Sequence, residues 1–221
     1  MEEILYKRKN GYENMTDGLK KDIQAFNEGY KEFLSLCKTE RECADFCEKV
    51  AKENNFMPLD SFDSLKSGDK FYVMNRGRAI MMGVMGKKNV WEGTRIVAAH
   101  IDSPRLDLKQ NPLYEAEGLG FLKTHYYGGI KKYQWTAIPL ALHGVVIRKD
   151  GTSVTVTVGE KDDEPVFCVS DLLPHLAKEQ MDRKLGDGIK GEELNILVGS
   201  MPFRDDEVSE KVKLNIASIL F

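Results

Sequence analysis

The sequence predicts an α/β fold built in two parts, and three observations carry that expectation. Residues 16–56 repeat apolar positions at helical spacing. The run RIVAA at 95–99 is short and almost unbroken in its apolar character, the form of a strand buried on both faces of an α/β sheet. Beyond Pro104 the texture changes to short β-rich runs with Gly and Pro between them, as if a second unit begins there.

The elements follow in order. Ile23, Phe26, Tyr30, Phe33, Leu34 and Cys37 recur at helical spacing, and Thr16 or Asp17 can cap the start. Thr39-Glu40-Arg41-Glu42 has the capping-box form and restarts the helix, with Ala44, Cys47, Val50 and Ala51 as its apolar face. Asn54-Asn55 closes it, because Asn tolerates the left-handed conformation. Residues 70–75 and 79–85 are β-rich runs around Arg76-Gly77, a hairpin pattern. The strand at 95–99 leads directly into His100. Residues 145–149 and 153–158 flank Asp150-Gly151, a strong hairpin signal. A further strand is expected at 166–169. Ser170 or Asp171 then caps a helix holding Leu172, Leu173, Leu176 and Ala177, with Pro174 in its first turn. Residues 194–198 read as a strand, and 207–221 as an amphipathic helix with Val212, Ile216, Ile219 and Leu220 apolar. That helix meets no Gly, basic last turn or Pro, so the natural polypeptide is expected to continue.

Composition narrows the functional classes. The 221 residues are 42% hydrophobic, enough to form a core. The formal net charge is -3, so no basic excess marks a nucleic-acid binder. No run is long and apolar enough to cross a bilayer, and the first residues lack a signal-peptide pattern. A cytoplasmic location is the expectation. The four cysteines, Cys37, Cys43, Cys47 and Cys168, read as free thiols packed as small apolar groups in a reducing compartment.

Chemistry concentrates at His100-Ile101-Asp102-Ser103-Pro104. Sites in α/β folds form where buried strands leave the sheet at their C-terminal ends. On extended chain a His-x-Asp spacing puts both side chains on one side, so the imidazole can bind a metal while the carboxylate orients the ring. Pro104 keeps Ser103 extended. A bare His-x-Asp is weak evidence, and a histidine at a strand end is more often a satisfied polar residue. His125 and His143 read as structural, and a site built from His100, His125 and His143 follows no zinc spacing.

The stretch AAHIDSPRLDLKQNP, then Tyr127-Gly128-Gly129, Trp135 and Pro139-Leu140-Ala141-Leu142-His143-Gly144, resembles the aspartyl aminopeptidase and aminopeptidase I family of di-zinc exopeptidases. Leu173-Pro174-His175-Leu176-Ala177 is similar to a later motif of the same family. The resemblance implies part of a zinc-exopeptidase-like α/β domain, residues 1–104, with an inserted β-rich dimerisation domain, residues 105–203, and a helix from 204–221 leading back to the catalytic domain. It implies two zinc ions per active site, with His100 as a zinc ligand and Asp102 as the carboxylate that orients it. It implies that His175 is a substrate-binding residue that reaches the active site of a neighbouring subunit, in a homo-oligomer built from dimers. The substrates implied are peptides, shortened from the N-terminus. The family's remaining ligands, a bridging Asp, a Glu-Glu pair, another Asp and a final His, have no match before Phe221, so this chain is expected to hold only part of the site and to be inactive alone. Trp135 is followed by Thr136-Ala137-Ile138-Pro139 where many members carry Arg-Asp, so the resemblance assigns no acidic N-terminal preference. The alternative from another class is a non-catalytic oligomerisation module derived from such an enzyme. No nucleic-acid or membrane partner is expected.

Overall fold

Thr39 and Glu42 form the capping box that the sequence promises: the Thr39 hydroxyl accepts from Glu42 N–H, and the Glu42 carboxylate accepts from Thr39 N–H. They start helix α2 (Glu40–Glu53), which follows helix α1 (Asp17–Leu36), itself capped by Thr16. The structure is a computed structural model and describes residues 5, 6, 8–204 and 209–220. The expectations for Glu207, Val208 and Phe221, and for the side chains of Ile219 and Leu220, lie outside the described residues. Two compact units divide the chain, one up to Asp102 and one from Ser103.

In the first unit, Asn55 takes φ 63° directly after α2, as the Asn-Asn pair predicts. The sheet has strand order β1-β2-β3, with β1 (Met57–Pro58) parallel to β2 (Lys70–Asn75) and β3 (Ala79–Val84) antiparallel to it. Arg76 and Gly77, at φ 54° and 61°, make the tight hairpin turn. Helix α2 packs on β2 and β3, and the buried Tyr72 hydroxyl donates to Glu48 on α2. Cys37, Cys43, Ala44 and Ala51 complete this small core. The Phe33 and Phe46 rings meet edge-on at 5.1 Å and tie α1 to α2.

The doubly buried strand expected at 95–99 is not present. These residues carry no regular structure, Ile96 is 81% exposed and Val97 is 99% exposed. A strand buried on both faces takes its ladder bonds from neighbouring strands, and no described strand pairs with this run.

In the second unit, β4 (Arg105–Ala116) and β5 (Leu119–Tyr127) form a long hairpin, with β8 (Ile196–Gly199) on the other side of β5. Glu117 and Gly118 turn it with φ 53° and 70°. The β4–β5 register shifts between Leu108 and Leu113, where Asn111 has φ 51° and Pro112 has no N–H to give the ladder. Strands β6 (Leu142–Ile147) and β7 (Ser153–Val158) pair around the Asp150-Gly151 turn. The core is Leu122, Val169, Ile189, Leu194 and Ile196, with Trp135 and Tyr126 packed against it.

Two further expectations are corrected. Residues 166–169 make isolated bridges to Thr136, Leu140 and Leu197 rather than a strand. Residues 172–177 are not helical: a turn covers 174–176, and the short helix α3 (Lys178–Met181) starts afterwards. Asp171 has a different task there from capping a helix over Leu172. Helix α4 (Lys211–Leu220) buries Val212 and Ile216 on β5, and Ile216 Cδ1 sits where a Cβ on Gly120 would fall.

Candidate metal centre

His100 is exposed and lies in a segment, residues 93–104, that carries no regular structure. Its Nδ1 is 3.0 Å from Asp102 Oδ1 and 3.0 Å from the Asp102 carbonyl oxygen. A carboxylate and a carbonyl both accept, so Nδ1 is the nitrogen that carries the proton. In the neutral ring Nε2 then keeps its lone pair, the arrangement in which a histidine ligates a metal while a carboxylate fixes its tautomer. The ring is solvent-facing and Asp102 is about one-third exposed.

Among the described residues, no three His, Cys, Asp or Glu side chains converge to hold a metal ion. His100 therefore offers one nitrogen ligand, short of the three protein ligands of a catalytic zinc. His125 and His143 each have a partner within the second unit. His143 Nε2 is 2.7 Å from Glu160 Oε1, and His125 stacks on Tyr126 at 5.2 Å. Both contacts belong to the second unit's own packing. His175 is exposed within the turn at 174–176.

The cysteines are free. Cys37 and Cys43 are buried, and Cys43 Sγ contacts the Cys37 carbonyl at 3.9 Å. Burial, with Cys43 close by, pushes the Cys37 thiol up to about 12. A thiol held protonated is a poor nucleophile and a poor metal ligand.

One ordered feature had not stood out in the sequence. The acidic run at 160–164 reads as a solvated loop, yet Glu164 Oε2 accepts from the backbone N–H of Gly159, Glu160 and Lys161. Lys161 and these amides hold its carboxyl at about 2. The signal was the positive-φ Gly159 one residue before the run, which lets successive amides converge.

Comparison with known proteins gives these features a context. The family model for aminopeptidase I zinc metalloproteases (M18) matches residues 33–220. This chain belongs to the M18 family. A probable M18 family aminopeptidase 1 of Clostridium acetobutylicum is 50% identical over 222 residues, covering 99% of this chain and 48% of that protein. The crystal structure of an M18 aminopeptidase from Thermotoga maritima superposes with TM-score 0.90 at 42% identity, covering 98% of this chain and 46% of that one. Aminopeptidase I of C. acetobutylicum superposes with TM-score 0.86 at 45% identity, over 98% of this chain and 48% of its own. The S. cerevisiae mApe1 dodecamer, at 23% identity, shares the fold with TM-score 0.61 over 86% of this chain and 41% of its own. The chain thus spans about half the length of the M18 relatives it matches. The mixed α/β architecture is that of M18 aminopeptidase structures. No described helix is long and apolar enough to cross a membrane.

Proposed function

We propose that the intact protein is a cytoplasmic zinc-dependent aminopeptidase that removes N-terminal residues from peptides, and that these 221 residues carry one corner of its active site. The observation that carries this reading is the His100 ring, with Nδ1 bonded to Asp102 and Nε2 open, in a chain that belongs to the M18 zinc metalloproteases. In this reading His100 is a zinc ligand and Asp102 its orienting carboxylate. Two zinc ions per site would supply the activated water and the Lewis acid. The described residues do not complete their ligand set, which the rest of the intact enzyme would furnish. His175, on an exposed turn, would act in the site of a neighbouring subunit of a homo-oligomer built from dimers. Residues 1–104 would belong to the catalytic domain, 105–203 to a dimerisation domain, and 204–221 to the return toward the catalytic domain.

The test is metal content and peptidase activity of the intact enzyme. Zinc that co-purifies, cleavage of N-terminal residues from a mixed peptide library, and loss of one metal site in His100→Ala are expected. Unchanged metal content in His100→Ala would remove the ligand assignment. The lack of three convergent metal-binding side chains among the described residues favours a second reading, a non-catalytic oligomerisation module. It stands instead if the intact protein self-associates but binds no zinc and cleaves nothing.

A further inference from the structure

His175 makes no hydrogen bond to any described residue, so its position is set by the backbone that carries it. That backbone is the loop 171–177, which leaves the core after the buried Val169 and runs into α3, the helix that carries Gln180. Leu172, Leu173 and Leu176 are all exposed along it, and Ala177 is its buried anchor. The loop is not seated on close-packed side chains. A cleft of about 330 Å³ lies against it, lined by Asp171, Leu172, Leu176, Gln180 and Arg183 among others. Packing therefore does little to fix this loop, and its hydrogen bonds matter more than usual.

Two of those bonds meet at one atom. Asp171 Oδ1 accepts from the Leu172 N–H at 2.8 Å and from Gln180 Nε2 at 3.0 Å. The second bond joins the start of the loop to α3 across its neck. Arg183 then ties the far side down: its guanidinium donates to Glu179 on α3, to Glu193 and to the Gly188 carbonyl. Within the loop, Leu176 N–H bonds to the Leu173 carbonyl and Ala177 N–H to that of Pro174, which shapes the turn holding His175.

We infer that Asp171 and Gln180 form a neck bond that positions His175, so that Asp171 is a positioning residue for the reaction in which His175 takes part. The inference rests on the role proposed above for His175. It assigns Asp171 an action through the loop and no contact with substrate. A displacement of about 1 Å at a reacting group can cost about 100-fold in rate, so a slack neck is expected to lower kcat well before it unfolds anything.

The experiment uses the intact enzyme with Asp171→Ala, Asp171→Asn, Gln180→Ala and His175→Ala, singly, and Asp171→Ala combined with His175→Ala. Asn keeps the acceptor oxygen and is expected to retain kcat. Asp171→Ala and Gln180→Ala are expected to lower kcat about 10–100-fold with KM little changed. In the His175→Ala background Asp171→Ala should cost nothing further; a merely structural residue would cost the same again. Amide exchange at Leu176 and Ala177 should speed up in Asp171→Ala and not in Asp171→Asn. Unaltered exchange, or additive losses in the double variant, overturns the inference. If exchange responds as expected while His175→Ala is fully active, the neck bond stands as the loop's fastener, while the role proposed for His175 in a neighbouring site, and with it the positioning role of Asp171, falls.

Discussion

His100 and Asp102 are two residues apart, and the bond between them is local enough to form whatever the rest of the chain does. That is why the pairing of this ring with this carboxylate was legible from five residues. Its consequence is testable at the same scale. Asp102→Asn can still accept through its amide oxygen but no longer carries the charge that raises ligand basicity. It is expected to weaken metal affinity of the intact enzyme about 10–100-fold, measured by competition with a chelator. An affinity equal to that of the parent would show that the carboxylate does not tune this ring. The Cys37 thiol makes a second prediction. Its folded value is raised, from the ordinary 9.0 to about 12. The protonated thiol is thus favoured by the fold, and its contribution is fully present below pH 9. It is lost as pH rises from 9 toward 12, because the unfolded thiol ionises first. Urea titrations of the protein at pH 8 and 11 should show the loss, and Cys37→Ala should flatten it. Glu164 runs the opposite way. Its carboxyl is depressed from the ordinary 4.5 to about 2, so its hold on the 159–164 turn is present above 4.5 and lost as pH falls toward 2. Protection of the Gly159 amide, taken relative to its intrinsic exchange rate at each pH, should fall over that interval.

Elements with local signals form where the sequence places them, whereas those that depend on neighbours divide: the strand expected at 194–198 pairs as β8 with β5, and the one at 95–99 does not form. The Thr39–Glu42 box, the Asn55 turn and the Arg76-Gly77 hairpin each complete themselves within a few residues. The 95–99 run has the composition of a buried strand but takes its ladder from other strands, which its composition cannot supply. The 172–177 segment has helical spacing, yet Asp171 Oδ1 is shared between Leu172 N–H and Gln180, and the chain turns at 174–176 so that helix begins only at Lys178. Two substitutions test the elements that formed. Thr39→Ala removes both the cap and a partner of Glu42, and is expected to cost about 1 kcal/mol in a denaturant melt. A cost near zero would mean that tertiary packing alone sets the start of α2. Gly120→Val places side-chain atoms in the space of Ile216 Cδ1 on α4. It is expected to destabilise by about 1–3 kcal/mol or to lift α4 from β5. The smaller Ile216→Ala in the same background should recover part of the loss, and no recovery would refute the clash.

For the whole molecule, the motifs from His100 onward reached the family correctly, but the metal site proposed above would draw its ligands from distant chain segments, which the five residues at 100–104 could not spell out. The proposed exchange of His175 between subunits has a signature that only an assembly can give. A His100→Ala subunit can lend His175, and a His175→Ala subunit can use it. Mixing the two inactive variants under conditions that reshuffle subunits is expected to restore about a quarter of parental activity. No recovery despite verified mixed oligomers would place His175 in its own subunit's site or outside any site. The bare Ile96-Val97 segment has a different consequence, one for the life of the polypeptide rather than for its chemistry. Apolar and uncharged over 96–99, with Ile96 and Val97 exposed, this tract is open to association between copies of the 221-residue chain wherever nothing else covers it. A single gatekeeper charge, Val97→Lys, should therefore keep the 221-residue chain in the supernatant at concentrations where the parent sediments, and equal sedimentation would locate the hazard elsewhere.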